Sequence, residues 1–245
     1  MADYNSIRAG AGTRSAEIDQ GLRAHMNKVY GTMSVGLLLT AGVAWAVGSS
    51  PAMLSFLYNF ETGSPNILGW IVMFLPLIMV FAFGAAINRL SAAGAQLYFY
   101  VYAAIMGLSL AWIFMAFTGI SIAQTFLVTS ISFAGLSLYG YTAKRDISGW
   151  GAFLIMGLIG LIVASIVNIF LGSPALHFAI SVIGVLIFAG LTAYDTQRLK
   201  TDYIQHAHAM DSEWLAKSAI MGALNLYLDF INLFMFLLQF MGNRE

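Results

Sequence analysis

The chain has 245 residues, of which 60% are hydrophobic and only 9% charged, with a formal net charge of zero. Soluble domains carry roughly 25% charged residues, so water is not the main solvent of this chain. The absence of cysteine excludes disulfides, thiol nucleophiles and thiolate metal sites, and a pI near 6.9 argues against a nucleic-acid surface.

The first 26 residues, "MADYNSIRAGAGTRSAEIDQGLRAHM", are polar and mixed in charge. They lack the apolar core and small-residue cleavage site of a secretory signal. They are expected to form a retained cytoplasmic tail, with residues 27–245 as a transmembrane domain. From there the apolar residues fall into blocks of about 20, the helix length that crosses a hydrocarbon core of about 30 Å. The pattern predicts an all-α integral membrane protein with seven spans, at 27–47, 68–88, 97–117, 122–141, 150–171, 174–194 and 221–241. The fourth is the most diluted, by Gln124, Thr129, Ser130 and Ser132. The long hydrophilic connection is expected at 196–218, and no strand is predicted. "GLSL" occurs at 107–110 and again at 135–138, but the flanks differ and no repeat is read.

Positive loops stay cytoplasmic, so the alternate loops can be scored for Lys and Arg. Arg8, Arg14, Arg23, Lys28, Arg89, Lys144, Arg145, Arg198, Lys200 and Lys217 fall on one side, and Arg244 alone on the other. Seven spans with a cytoplasmic N-terminus and an external C-terminus are expected. A six-span arrangement would bring the C-terminus inside and leave the last apolar run re-entrant or interfacial.

That last run, "LYLDFINLFMFLLQF", carries one ionisable residue, Asp229. An aspartate deep in a span costs about 2.5–3.5 kcal/mol even on the lenient insertion scale. Asn225, Asp229 and Asn232 follow an i, i+4, i+7 spacing and share one face, with Gln239 a further heptad along. Such a stripe should face protein or a watery cavity, which predicts that the last helix is central. Helix-to-helix hydrogen bonding accounts for the asparagines, but it does not require an ionisable group at position 229.

Asp195 of "AYDTQRLK" is expected at the inner membrane boundary, and Asp229 about 10 Å further in. On ideal helices the two carboxyls differ in depth by roughly 7–10 Å. Arg89 of "INRLSAAG" sits at the inner end of the second span, either as a snorkelling anchor or as a counter-ion latched to Asp195. With the latch, protonation of Asp195 would free the helix ends, and acid would favour opening.

These segments carry a family resemblance. "LYLDFINLFMFLLQF", "AYDTQRLK" and "NKVYGTMSVGLLLTAG" closely resemble the Bax-inhibitor-1 family, from about residue 27 to the end. The resemblance implies a seven-helix bacterial inner-membrane protein with the last helix in the middle, and a pH-sensitive calcium leak. It also implies an aspartate pair as pH sensor, which falls on Asp195 and Asp229, and an arginine that falls near Arg89. Some relatives carry an acidic residue in the second span, whereas "WIVMFLPLIMVFAFGAAIN" has none. Bacterial relatives are also linked to inhibition of a membrane-anchored AAA protease. That makes a non-transporting regulator the alternative, with its contacts on the tail or the 196–218 loop.

Two nearby carboxyls can share a proton, and when ionised they offer Asp195 and Asp229 as hard oxygen ligands for transient Ca²⁺. Water and the amide oxygens of Asn225 and Asn232 would complete the shell. The expected partners are therefore Ca²⁺ or other cations and the lipid bilayer, with no cofactor and no nucleic acid. "DYIQHAHAMDSE" gathers Asp202, His206, His208, Asp211 and Glu213, but reads as a solvated loop rather than a metal site. Ser137 and His177 fall at opposite membrane faces, and Ser109 lacks a third group, so no intramembrane protease is expected. Gly157, Gly160, Gly184 and Gly190 are read as close-packing positions.

Overall fold

The computed structural model describes residues 3–207, 209 and 211–243, with side chains from residue 18 onward. The described residues form helices α1 (Asp3–Gly48), α2 (Pro51–Leu54), α3 (Ile67–Ala86), α4 (Ala92–Leu110), α5 (Ile113–Ala116), α6 (Gly119–Thr142), α7 (Trp150–Leu171), α8 (Pro174–His206) and α9 (Ser212–Met241). Among the described residues, seven of these segments are long and apolar enough to cross a membrane. Each predicted span is matched by one of them, and the protein is an all-α multi-pass membrane protein.

Local chemistry sets the ends. Asn66, Ser91, Thr118, Ser173 and Asp211 cap α3, α4, α6, α8 and α9, each accepting a bond from a backbone N–H three residues on. Gly172 ends α7 with φ 58°, a left-handed conformation that costs a glycine nothing. Pro51 and Pro174 sit in the first turn of α2 and α8, where no backbone donor is lost.

Some expectations about local structure need correction. The hydrophilic connection is not 196–218: α8 runs on to His206 and α9 begins at Ser212. Ion pairs one turn apart support these extensions, Arg198 with Asp202 at 3.8 Å and Lys217 with Glu213 at 3.8 Å. The backbone of the polar tail is helical from Asp3 and continuous with the first span. A short antiparallel ladder, β1 (Tyr58–Asn59) with β2 (Ser64–Pro65), closes the connection before α3, although no strand was expected. The third span runs to Ala116 but is interrupted after Leu110, before the single turn of α5. Arg8 and Arg14 have no described side chains, and His208 and Arg244 lie outside the described residues.

The last helix is central. It packs on α8, α1, α6 and α4, and it is the most buried of the seven spans. Its Tyr227 is fully buried, edge-on to Phe99 at 5.5 Å and to Tyr102 at 5.9 Å. Thr40 Oγ1 donates to Ala103 O at 2.8 Å, so Tyr227 Oη must be the donor in its 2.7 Å bond to Thr40. That pair ties α1, α4 and α9 together without an unpaired hydroxyl. By contrast α7 packs on α8 and presents most of its surface outward, including Phe153, Met156, Ile169 and Phe170.

Candidate functional site

Helices α8 and α9 make the most extensive interface in the bundle, and the polar stripe of α9 borders it. Asn225, Asp229 and Asn232 line one cavity of about 580 Å³ together with Asp195. Apolar residues from α7 and α8 form the remaining walls, among them Leu161, Phe188 and Leu191, while Leu228 and Phe236 flank the stripe on α9 itself. The i, i+4, i+7 spacing thus presents all three polar side chains to a single space.

Asp195 and Asp229 come within side-chain hydrogen-bonding reach of each other. A hydrogen bond between two carboxyls exists only when one of them carries a proton, because ionised carboxylates are acceptors only. Asp229 is 5% exposed, and its Oδ2 is buried with no partner. A buried acceptor without a donor is costly, which marks this oxygen as a place for water, a proton or a cation. Asn232 Nδ2 donates to Leu228 O at 2.8 Å, which leaves its carbonyl oxygen available as an acceptor. The depth gap expected for ideal upright helices does not keep the carboxyls apart.

Arg89 lies elsewhere. It is exposed beyond the end of α3, a helix that packs mainly on α4. Among the described residues it forms no ion pair with Asp195. The cation whose charge reaches Asp195 is Arg198, one turn along α8 in the same "AYDTQRLK" segment. The acid-opening direction inferred from an Arg89 latch therefore finds no support in these contacts.

A second feature escaped the sequence. Thr196 Oγ1 donates to Thr192 O at 2.8 Å, Ser137 Oγ lies 3.0 Å from Thr196 Oγ1, and Tyr30 Oη lies 2.5 Å from Ser137 Oγ. Each hydroxyl has one proton, so the direction is fixed: Tyr30 donates to Ser137, Ser137 to Thr196, and Thr196 to the backbone. The chain joins α1, α6 and α8 beside Asp195. Gly140 makes it possible, because any Cβ there would collide with the backbone oxygen of Ala193. Ser137 is thus a hydrogen-bonded structural hydroxyl.

Elsewhere, His206 Nδ1 lies 2.9 Å from Asp202 O and its ring packs on Trp214 at 5.3 Å. Among the described residues, no group of three or more His, Asp or Glu side chains is placed to hold a metal ion. His177 Nε2 is buried without a partner near the start of α8, away from the carboxyl pair.

Seven membrane-spanning helices, the last of them buried at the centre, with one carboxyl set against another inside the bundle, define a multi-pass membrane protein with an intramembrane acidic pair. The chain belongs to the Bax-inhibitor-1 family, since the family model described as "Inhibitor of apoptosis-promoting Bax1" matches residues 22–245. It is 49% identical to the inner membrane protein YbhL of Escherichia coli over 225 residues, covering 92% of this chain and 94% of that one. An uncharacterised protein of Caulobacter vibrioides is 46% identical over the full length of both chains. An uncharacterised protein of Rickettsia prowazekii is 45% identical, again over all of both. The expected inner-membrane, multi-pass character agrees with these findings.

Proposed function

We propose that the protein is a pH-sensitive cation leak of the bacterial inner membrane, with Ca²⁺ as its cargo and the Asp195–Asp229 pair as its proton-sensitive element. One observation carries this reading: two carboxyls within hydrogen-bonding reach line a cavity shared with Asn225 and Asn232. Helix-to-helix adhesion needs no such pair, and a charge-capable couple inside a membrane is costly to keep.

The pair offers a proton and a cation the same oxygens. With one proton shared, the carboxyls bond to each other across the α8–α9 seam. When that proton leaves, two anionic groups face each other, and a hard cation relieves the repulsion by binding between them. Ca²⁺ takes about six to eight oxygens, more than two carboxylates supply. Asn225 and Asn232 stand about 10 Å apart along α9, too far to ligate one ion together. Their amide oxygens instead give successive weak contacts above and below Asp229, with water completing the shell. A path of this kind conducts slowly and selects poorly.

Uptake of radiolabelled Ca²⁺ into liposomes holding the purified protein, followed across a pH series, tests the reading. The parent should show flux that changes with pH. Asp229→Asn keeps the shape but not the titration, and should give flux that no longer responds to pH. If the variant reproduces the parent's pH profile, Asp229 is packing and the proposal fails.

A further inference from the structure

Among the described residues a second cavity is larger than the one that holds the carboxyls. It measures about 890 Å³, lies between α1 and α6, and shares no lining residue with the carboxyl cavity. Helices α1 and α6 each pack on α9 but stand apart from one another here, so Phe230 of α9 forms part of the floor. Most of the lining is apolar, with Met26, Met33, Leu37 and Phe133 prominent. Arg23 stands at one end, and no carboxylate lines the groove. An apolar pocket of this size with a few placed polar groups is the usual form of a small-molecule site.

Position and length define the occupant. Arg23 precedes the apolar stretch that begins at Asn27 by one turn of helix, which puts its guanidinium at the headgroup level of a bilayer. From Asn27 to Leu38, α1 rises about 16 Å, close to half of a hydrocarbon core of about 30 Å. The groove is therefore one leaflet deep, with a cation where an anionic head would sit and apolar walls where a chain would run. At its far end Leu37, Phe126 and Phe230 line both this groove and the next cavity.

We propose that this groove binds a single-chain anionic amphiphile of the fatty-acid type, its carboxylate on Arg23 and its acyl chain along Tyr30, Met33 and Leu37. The head makes charge-assisted bonds to a guanidinium suited to bidentate carboxylate recognition. The occupied groove also reaches both members of the carboxyl pair through their chain neighbours. Phe230 follows Asp229 and lines the groove, while Thr196 follows Asp195 and is bonded to Ser137, another lining residue. A chain pressed against Phe230 and against the Tyr30–Ser137 bond alters the α8–α9 seam from its far side. This regulatory consequence rests on the leak reading given above, whereas binding does not.

The full-length protein in phosphatidylcholine nanodiscs, exposed to a photoreactive palmitate, tests binding directly. Labelling should concentrate on residues 26–38 and 126–138 and be competed by unlabelled palmitate. Arg23→Gln should weaken it about tenfold, the effect of losing one charge-assisted contact. Ala134→Trp fills the groove from α6 and should abolish labelling. Ser34→Phe does so from α1 and serves if the first variant fails to fold, both positions being exposed rather than core. Labelling spread equally over the outer face of α7 would overturn the site, as would labelling indifferent to Arg23→Gln. Equal competition by a diacyl phosphatidylglycerol would overturn the single-chain occupant. In the flux assay palmitate should change Ca²⁺ uptake by the parent but not by Ala134→Trp. Unchanged uptake alongside intact labelling would overturn the coupling and leave the binding site standing.

Discussion

Ser137 and Thr196 are joined by a 3.0 Å hydrogen bond that crosses from α6 to α8 at the residue following Asp195. Both hydroxyls are buried, and with Tyr30 they form a one-directional chain that ends on Thr192 O. Thr196→Val keeps the shape but strands the Ser137 proton, so it should cost about 1–3 kcal/mol. Thermal unfolding in detergent would register this as a lowered midpoint. Adding Ser137→Ala to Thr196→Val should cost less than the two single losses summed, because they share the Ser137–Thr196 bond and the further loss is that of the Tyr30 bond alone. Fully additive losses would mean that the bond contributes nothing.

Arg198 and Arg89 should behave differently. Removing Arg198 takes away a cation whose charge acts on Asp195, so Arg198→Gln should move the pH profile of Ca²⁺ uptake. Arg89→Ala, at an exposed position without an ion pair to Asp195 among the described residues, should leave that profile in place. A shift with Arg89→Ala and none with Arg198→Gln would restore the latch first read from the sequence.

Asp146 gives a pH response outside the membrane spans. Bonds from the Ser148 backbone and side chain hold its carboxyl below the usual aspartate range, with Ser148 N donating to Asp146 Oδ1 at 2.8 Å. The contribution is therefore present above the ordinary value of about 3.9 and is lost as pH falls through the depressed one. Asp146→Ala should speed amide exchange at Ser148 relative to the parent at neutral pH. The difference should shrink as the parent is acidified, and a pH-independent difference would exclude the carboxylate as its cause.

Orientation follows from charge. The sequence-based spans assign ten cationic residues to one side and one to the other, so a reporter fused after Glu245 should be active outside the cytoplasm. Cytoplasmic activity of that fusion would remove the arrangement of seven spans with a cytoplasmic N-terminus.

The helices that cross the membrane were legible because blocks of about 20 apolar residues have one physical meaning in a bilayer. The central place of α9 was legible too, since Asn225, Asp229 and Asn232 on one face cannot be turned toward hydrocarbon. Hydropathy reports the solvent around a segment, not its backbone. The polar stretches around Arg198 and Lys217 were therefore read as a loop although they continue helices. The pairing of Asp195 with Asp229 was implied by the family resemblance, whereas upright ideal helices put the two carboxyls at different depths. Arg198 was counted as a cytoplasmic positive charge, and its i+3 relation to Asp195 went unused. The partnership of Ser137 with Thr196 depends on the close approach at Gly140, which no spacing within either helix reveals.

The two long walls of the carboxyl cavity differ in what holds them. Helix α9 is fixed by four neighbours, α1, α4, α6 and α8, whereas α7 leans on α8. Displacing α9 would break several interfaces at once, including the buried Tyr227–Thr40 bond. Displacing α7 breaks one, and its outward face meets lipid before and after the movement. The cavity therefore has a rigid side that carries Asp229 and the two amide groups and a compliant side that carries only Ser165 and hydrocarbon. Its width can change while the spacing of the polar side chains along α9 stays constant.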